Sequence, residues 1–279
     1  MKIRSTENNH LFTNTLYRNL SAYHLEGLTM DTNRNFTAAV EAVELEANEE
    51  IHVSEIFTED ELKAKYLLAI SIEVPLFIIT CRIDEFIIYN VSLDSNQHIF
   101  FKEVLVCDSN GFVNWWAQIK KTKQPHPLLN GGQYRAGRTI FDRLIEATGQ
   151  AWGGNIDGFV IRNNKIVAII DNISIGFTKI ENEVADPARF FHKKGPKYTT
   201  WLSTVKLAKQ LNVPHILLTI DAKNPTSEVV GMSVIKHLDP SGIYYNNNVT
   251  PPNNILRGIG NITNIINKAI QESNPPTFR

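Results

Sequence analysis

The first half of the chain alternates between apolar runs that predict strands and segments that predict helices. Four runs rich in β-branched and aromatic residues are expected to be strands: 66–72, 75–83, 85–91 and 98–107. The segment 35–50 is predicted as a helix because alanine, glutamate and leucine are strong helix formers, and 112–121 is a second predicted helix. This half is therefore expected to have an α+β fold.

The second half predicts the order helix, strand, strand, helix, strand. In chain order these elements are a helix within 136–149, strands at 156–162 and 165–173, a helix at 196–212 and a strand at 215–220. A glycine ends the first helix and a proline opens the second, as helix termini favour. A further helix is predicted within 255–273. The fold class is therefore expected to be α/β, with a central mixed sheet flanked by helices.

A stretch with no hydrophobic period separates the two halves. Residues 120–132 are rich in proline, glycine and lysine, which is typical of a connection between domains. We therefore expect an N-terminal α+β region at 1–128 and a core with a C-terminal helix at 129–279. No internal repeat is visible at periods of 20–50 residues.

Composition and charge exclude few classes of function. The chain is 43% hydrophobic and 20% charged, with a formal net charge of −1, which is typical of a globular protein without general basic character. A local basic groove would still allow nucleic-acid binding. Cys81 and Cys107 are too few for a disulfide framework or a zinc cluster and are expected to be core thiols. No apolar run reaches the ~18 residues of a membrane span, so a cytoplasmic location is expected.

The predicted hairpin has an aspartate at each outer end. Asp157 opens its first strand, and Asp171 lies near the end of its second. If the turn is centred on Asn164, the two carboxylates face each other on one side of the sheet, close enough to share a cation. A two-residue turn at Asn163-Asn164 would instead shift the register by one and place the carboxylates on opposite faces.

Two interpretations of this acid pair are open from the residues alone. The acids can lie at solvated strand ends, where Asp157 caps a turn and Asp171 starts the next loop. Alternatively, they can form a metal site with Glu146, which lies on the helix just before the hairpin. Three acids arriving from one helix and two strands would supply the hard oxygen ligands with which Mg²⁺ supports phosphodiester hydrolysis.

The order of these residues resembles the PD-(D/E)XK, or restriction-endonuclease-like, nuclease superfamily. In that superfamily an aspartate opens one strand, and a second acid, any residue and a lysine follow on a later strand, often with a glutamate on the preceding helix. Asp157, Asp171 and Glu146 match the three acids, within a match that spans residues 135–221. The resemblance implies a restriction-endonuclease-like core and a Mg²⁺ site formed by these acids, in which Mn²⁺ can substitute.

One position departs from the superfamily pattern. Ile173 lies where the catalytic lysine belongs, so another cation is needed near the scissile phosphate. Lys197, which begins the helix after the hairpin, is the candidate, with Tyr198 beside it as a phosphate donor. The residues expected to contact nucleic-acid phosphates are Arg189, Lys193, Lys194, Lys197 and Tyr198.

The sequence thus predicts a metal-dependent DNA endonuclease, of the kind used in restriction or phage defence, whose N-terminal region recognises the target or mediates assembly. The expected partner is nucleic acid, DNA rather than RNA, with no membrane, and assembly as a homodimer is compatible with this prediction. The alternative is a catalytically weakened nuclease-fold protein that binds nucleic acid or a protein partner without cutting. Ile173 favours the alternative, whereas retention of the three acids favours the nuclease.

Overall fold

The chain folds into two compact units, seen in a computed structural model. The structure describes residues 2–3, 11–47, 49, 51–122, 139–148, 153–175, 196–221, 224, 226–239, 242–246 and 254–278. Unit 1 comprises Met1–Thr6 and Leu25–Asn155, and unit 2 comprises Glu7–His24 and Ile156–Arg279. Both units combine helices with a mixed sheet, so the predicted α/β class is confirmed.

The elements of the first half follow in chain order. They are β1 (Lys2–Ile3), α1 (Leu11–Leu20), β2 (Ala22–Met30), β3 (Phe36–Leu45), a 3₁₀ turn (Val53–Glu55), α2 (Glu59–Ser71), β4 (Leu76–Arg82), β5 (Glu85–Leu93), β6 (Ile99–Cys107), α3 (Ser109–Ile119) and α4 (Ile140–Ala147). In unit 1, β2 and β3 form an antiparallel hairpin, and α2 then crosses over so that β4 runs parallel to β3. Strands β5 and β6 continue the sheet in antiparallel order.

The elements of the second half repeat this connectivity. They are β7 (Gly154–Arg162), β8 (Lys165–Ile175), α5 (Pro196–Leu211), β9 (His215–Asp221), β10 (Val229–Asp239), β11 (Gly242–Tyr245), β12 (Asn254–Arg257), α6 (Ile259–Glu272) and β13 (Thr277–Phe278). Strands β7 and β8 form a hairpin, α5 crosses over, and β9 runs parallel to β8. Strand β10 is antiparallel to β9, and β11, β12 and β13 all pair with β10.

The division between the units differs from the predicted boundary at residue 128. Helix α4 lies beyond that residue, yet Phe141 and Ile145 on this helix pack into the core of unit 1. Helix α1 lies near the start of the chain, yet Leu16 and Leu20 pack into the core of unit 2 beside α6. The boundary between the units therefore falls inside β2 and β7 rather than in the polar stretch 120–132. Helices α1 and α4 each belong to the unit that their apolar side chains contact, whatever their place in the sequence.

Two predicted elements are wrong. The segment 35–50, predicted as a helix, contains strand β3, and the segment 66–72, predicted as a strand, is mostly the end of helix α2. The predicted hairpin, the helix from Pro196 and the strand at 215–220 are confirmed. Among the described residues, no helix is long and apolar enough to cross a membrane.

Candidate functional site

The turn of the β7–β8 hairpin consists of two asparagines. Asn163 and Asn164 have φ of 49° and 56°, and Arg162 pairs with Lys165 across them. Positive φ at both central positions is characteristic of a two-residue type I′ turn, which asparagine tolerates well. The connection is therefore the two-residue alternative and not the turn centred on Asn164.

A β-bulge nevertheless restores the aligned register of the acids. The register shifts between Val160 and Ile161, and beyond this shift Gly158 pairs with Ile170. An extra residue in one strand moves all later pairs by one position. The next pair outward places Asp157 opposite Asp171, so both side chains lie on one face of the sheet.

Asp171 is buried beneath helix α5 and is held by two hydrogen bonds. Its side chain is 5% exposed, and its Oδ2 accepts from the Thr204 hydroxyl at 2.7 Å. The same Oδ2 lies 2.8 Å from Nε2 of His215, which is fully buried at the start of the neighbouring parallel strand β9. These partners fix the direction of the carboxylate and stabilise its charge in a site with little water.

The pKa of the Asp157 carboxyl group is affected both by burial and by the neighbouring Asp171. Its Oδ2 accepts a hydrogen bond from the backbone N–H of Asn172 at 2.7 Å. Burial, followed by the negative charge of Asp171, raises the pKa of Asp157 to about 7, and the Asn172 hydrogen bond opposes this shift only in part. The raised pKa means that the site disfavours a second negative charge beside Asp171, and a bound cation would relieve this repulsion.

The opposite face of the hairpin is supported by Tyr17. The amide Nδ2 of Asn172 donates to its hydroxyl at 2.5 Å, so α1 fixes the residue whose N–H binds Asp157. Burial, together with the charges of both aspartates, raises the pKa of Tyr17 well above its ordinary value. Glycine at position 158 leaves room for Tyr17, because a Cβ there would lie 2.9 Å from the tyrosine hydroxyl and would displace it.

The structure describes the other predicted site residues only in part. Glu146 lies on α4 in unit 1, whereas both aspartates belong to unit 2. Among the described residues, no three His, Cys, Asp or Glu side chains are grouped so as to hold a metal ion. Asp157 and Asp171 are thus the part of the predicted metal site that the structure brings together, and the role of Glu146 remains a prediction.

The predicted basic residues lie at or before the start of α5. Lys197 and Tyr198 belong to its first turn, but their side chains are outside the described set. Arg189, Lys193 and Lys194 fall in a range, 176–195, that lies outside the described residues altogether. Their contacts with phosphates therefore remain predictions.

Ile173 is built into the core. It is 5% exposed and packs with Trp201, Leu202 and Val205 of α5. The resemblance predicts a lysine at this position, and the structure has an apolar side chain there. Isoleucine therefore stabilises the contact between β8 and α5 and supplies no charge to the acid pair.

Three residues of the site were not found from the sequence: Tyr17, Thr204 and His215. Thr204 and His215 are hidden in segments that the pattern predicts as an amphipathic helix and a buried strand. The one available signal was the imidazole at the start of the apolar run 215–220, since a buried polar side chain requires a partner.

Comparisons of the chain with protein-family models, with curated proteins and with solved structures found no match.

The contact between His215 and Asp171 predicts a cost for an apolar replacement. His215→Leu should lower the free energy of unfolding by about 1–3 kcal/mol, because the buried carboxylate loses one of its partners. His237→Leu, at a partly exposed position of β10, is the matched control. Urea unfolding monitored by tryptophan fluorescence measures both, and equal stability of the two variants would contradict a stabilising His215–Asp171 contact.

Proposed function

We propose that the protein is a metal-dependent DNA endonuclease with a restriction-endonuclease-like core in unit 2. The observation that carries this proposal is the placement of Asp157 and Asp171 opposite each other on one face of the hairpin. Two carboxylates in this arrangement can share one divalent cation, and Mg²⁺ accepts such hard oxygen ligands. Mn²⁺, with similar ligand preferences, is expected to substitute.

The connectivity of unit 2 supports the same proposal. A hairpin with both acids is followed by helix α5 and by strand β9, which runs parallel to β8. This order of hairpin, crossover helix and parallel strand agrees with the resemblance seen in the sequence. Helix α5, with Lys197 in its first turn, is the next described element of the chain after the acid-bearing hairpin.

Each residue has a distinct role in the proposed reaction. Asp157 and Asp171 would hold the cation, and Thr204 and His215 keep the Asp171 carboxylate in place. A bound Mg²⁺ would activate a water molecule and compensate charge on the phosphate. Lys197 and the positive end of the α5 dipole would attract the scissile phosphate.

The runner-up is a nuclease-fold protein that binds nucleic acid or a protein partner without cutting. The burial of Ile173 favours it, because the superfamily lysine has no replacement at that position. Only the nuclease requires the acid pair to bind a cation. DNA binding alone would depend on the basic residues around the start of α5.

Cleavage and binding assays separate the two candidates. Purified protein is incubated with supercoiled plasmid or single-stranded DNA in Mg²⁺, Mn²⁺ or EDTA, and binding is measured in Ca²⁺. Metal-dependent cleavage supports the nuclease. Binding without cleavage supports the runner-up, provided that the logarithm of the affinity falls against the logarithm of the salt concentration with a slope of about −0.9 per phosphate contact. If the protein neither cuts nor binds DNA, the result contradicts a DNA partner for both candidates.

A further inference from the structure

Two connections of the chain, one in each unit, have closely similar sequences. Residues 74–80 have the sequence VPLFIIT, and residues 213–219 have the sequence VPHILLT. Each connection leads from a crossover helix, α2 or α5, into the strand that runs parallel to the second strand of a hairpin. The similarity therefore occurs at the same point of the same topology.

The helix ends at these connections share a hydrogen bond. The N–H of Val74 donates to the carbonyl of Ala69 at 3.0 Å, and the N–H of Val213 donates to the carbonyl of Ala208 at 2.9 Å. Ala69 and Ala208 therefore occupy equivalent positions. Counting back one helical turn of four residues makes Lys65 of α2 equivalent to Thr204 of α5.

The hairpins can be aligned in the same way. The carbonyl of Pro75 accepts from Ala39 at 2.9 Å, and the carbonyl of Pro214 accepts from Ile169 at 3.0 Å. Ala39 in β3 is thus equivalent to Ile169 in β8. Two residues further along each strand, an acid follows in both cases.

The acid pairs of the two units therefore occupy equivalent positions of the shared topology. Glu41 is equivalent to Asp171, and the register of β2 with β3, in which Gly27 pairs with Val40, places Glu26 opposite Glu41 as Asp157 lies opposite Asp171. Glu26 and Asp157 are each followed by glycine. Unit 1 thus contains a second pair of facing carboxylates, at 2% and 0% exposure.

The equivalent helix positions reach the equivalent acids but differ in charge. Nζ of Lys65 lies 2.9 Å from Oε1 of Glu41, and both side chains are 0% exposed. Lys65 also lies 2.7 Å from Glu61 and above the ring of Phe57. In unit 2 the hydroxyl of Thr204 donates to Asp171 at 2.7 Å and contributes no positive charge.

We propose that the two units are copies of one fold, in which Lys65 is the tethered cation of the first acid pair and the second pair takes a divalent cation from solution. Burying facing carboxylates requires a compensating charge. Lys65 supplies it in unit 1. Unit 2 has threonine at that position, so a divalent cation would supply the positive charge there, beside the contact of Asp171 with His215. The part concerning unit 2 rests on the proposed function.

The test exchanges the two helix residues in the full-length protein. Thr204→Lys introduces an ammonium group next to Asp171, as Lys65 does next to Glu41. Thr204→Met introduces a side chain of similar length without a charge. Mn²⁺ binding, followed by the electron paramagnetic resonance of the free ion, should weaken by about ten- to a hundredfold in Thr204→Met, because the hydroxyl that holds Asp171 is lost, and by about a further tenfold or more in Thr204→Lys, because an ammonium group is added beside the site. Equal Mn²⁺ affinity of these two variants would overturn the inference.

The reciprocal change is Lys65→Thr, with Lys63→Thr as control because Lys63 is exposed on the same helix. Lys65→Thr should gain a Mn²⁺ site, seen as one more bound ion per chain and as a larger rise in melting temperature with Mn²⁺ than in the control. If the variant folds with no added ion and no such rise, the tethered-cation role of Lys65 is overturned. If Lys65→Thr does not fold, the Thr204 pair decides.

The outcomes also distinguish this inference from the proposed function. A wild-type protein that binds no Mn²⁺ contradicts the metal-dependent nuclease itself. A different result is that the wild-type protein binds Mn²⁺, Asp157→Asn does not, and Thr204→Lys binds it as well as Thr204→Met. That result is compatible with the nuclease and contradicts the equivalence of Lys65 with a bound ion.

Discussion

Asp157→Asn should abolish Mg²⁺-dependent DNA cleavage and, at the same time, stabilise the metal-free protein at pH 8. Cleavage should fall by at least about a hundredfold, because the variant removes a ligand charge from the cation. Stability should rise by about 1–3 kcal/mol, because the amide removes the repulsion between the Asp157 and Asp171 carboxylates.

The pH dependence of this stabilisation follows from the raised pKa. Asp157 ionises near 3.8 in an unfolded chain but at about 7 in the folded protein. Between these values the folded protein binds more protons than the unfolded chain, so stability present below about pH 4 is lost as the pH rises through 7. In Asp157→Asn this part of the loss should be absent.

Urea unfolding at several pH values between 5 and 8.5, in EDTA, measures the effect. Asp60→Asn is the control, since Asp60 is exposed on α2. If Asp157→Asn is no more stable than the control at pH 8, the carboxylates do not repel each other in the folded state. If it still cleaves DNA at the wild-type rate, Asp157 has no place in the mechanism.

Lys65→Met should cause a large loss of stability in unit 1. Lys65 is fully buried and contacts Glu41 and Glu61. Removing one partner of a buried ion pair leaves an uncompensated charge and costs about 3–5 kcal/mol. Methionine keeps the length and the apolar stem, so the loss reports the charge.

Lys63→Met provides the comparison on the same helix. Lys63 is 42% exposed and forms an i,i+4 ion pair with Glu59, for which a change of about 0.5 kcal/mol or less is expected. Adding Glu41→Gln to Lys65→Met should recover part of the lost stability. Similar midpoints for the two lysine variants in urea would contradict a stabilising buried ion pair between Lys65 and Glu41.

The hairpin shows how far the sequence could define the site. Alternating apolar residues and the two asparagines were sufficient to predict both strands and two possible turns. The bulge between Val160 and Ile161 could not be predicted, because it depends on packing of the strands against the helices on either face. The correct acid alignment therefore arises from a turn that, without the bulge, would have separated Asp157 from Asp171.

The errors in unit 1 have a different cause. Alanine and glutamate favour a helix at 35–50, yet Ala38, Val40 and Ala42 form one face of β3 in the core. The alternate position, Glu41, faces α2 and is paired with Lys65. Tertiary contacts of this kind override local propensity, and a buried Glu–Lys pair leaves no signal in a single sequence.

The similarity of the two units was also beyond a search for short periods. The repeated unit is far longer than 50 residues, and outside VPLFIIT and VPHILLT the identities noted above are isolated residues, Ala69 with Ala208 and Gly27 with Gly158. Lys65 and Thr204, or Leu76 and His215, differ completely although they occupy equivalent positions. The equivalence is visible in strand registers and backbone hydrogen bonds, which a sequence does not display.

Helix α1 has a consequence for how the protein is made. Its residues Leu16 and Leu20 pack against strands of unit 2 that are synthesised after the whole of unit 1. At roughly 5–20 residues per second, α1 leaves the ribosome roughly 7–30 seconds before its first partner strand exists. During that time its apolar face has no native partner in unit 2, so translation leaves a window in which chaperones or misfolding can act on the nascent chain.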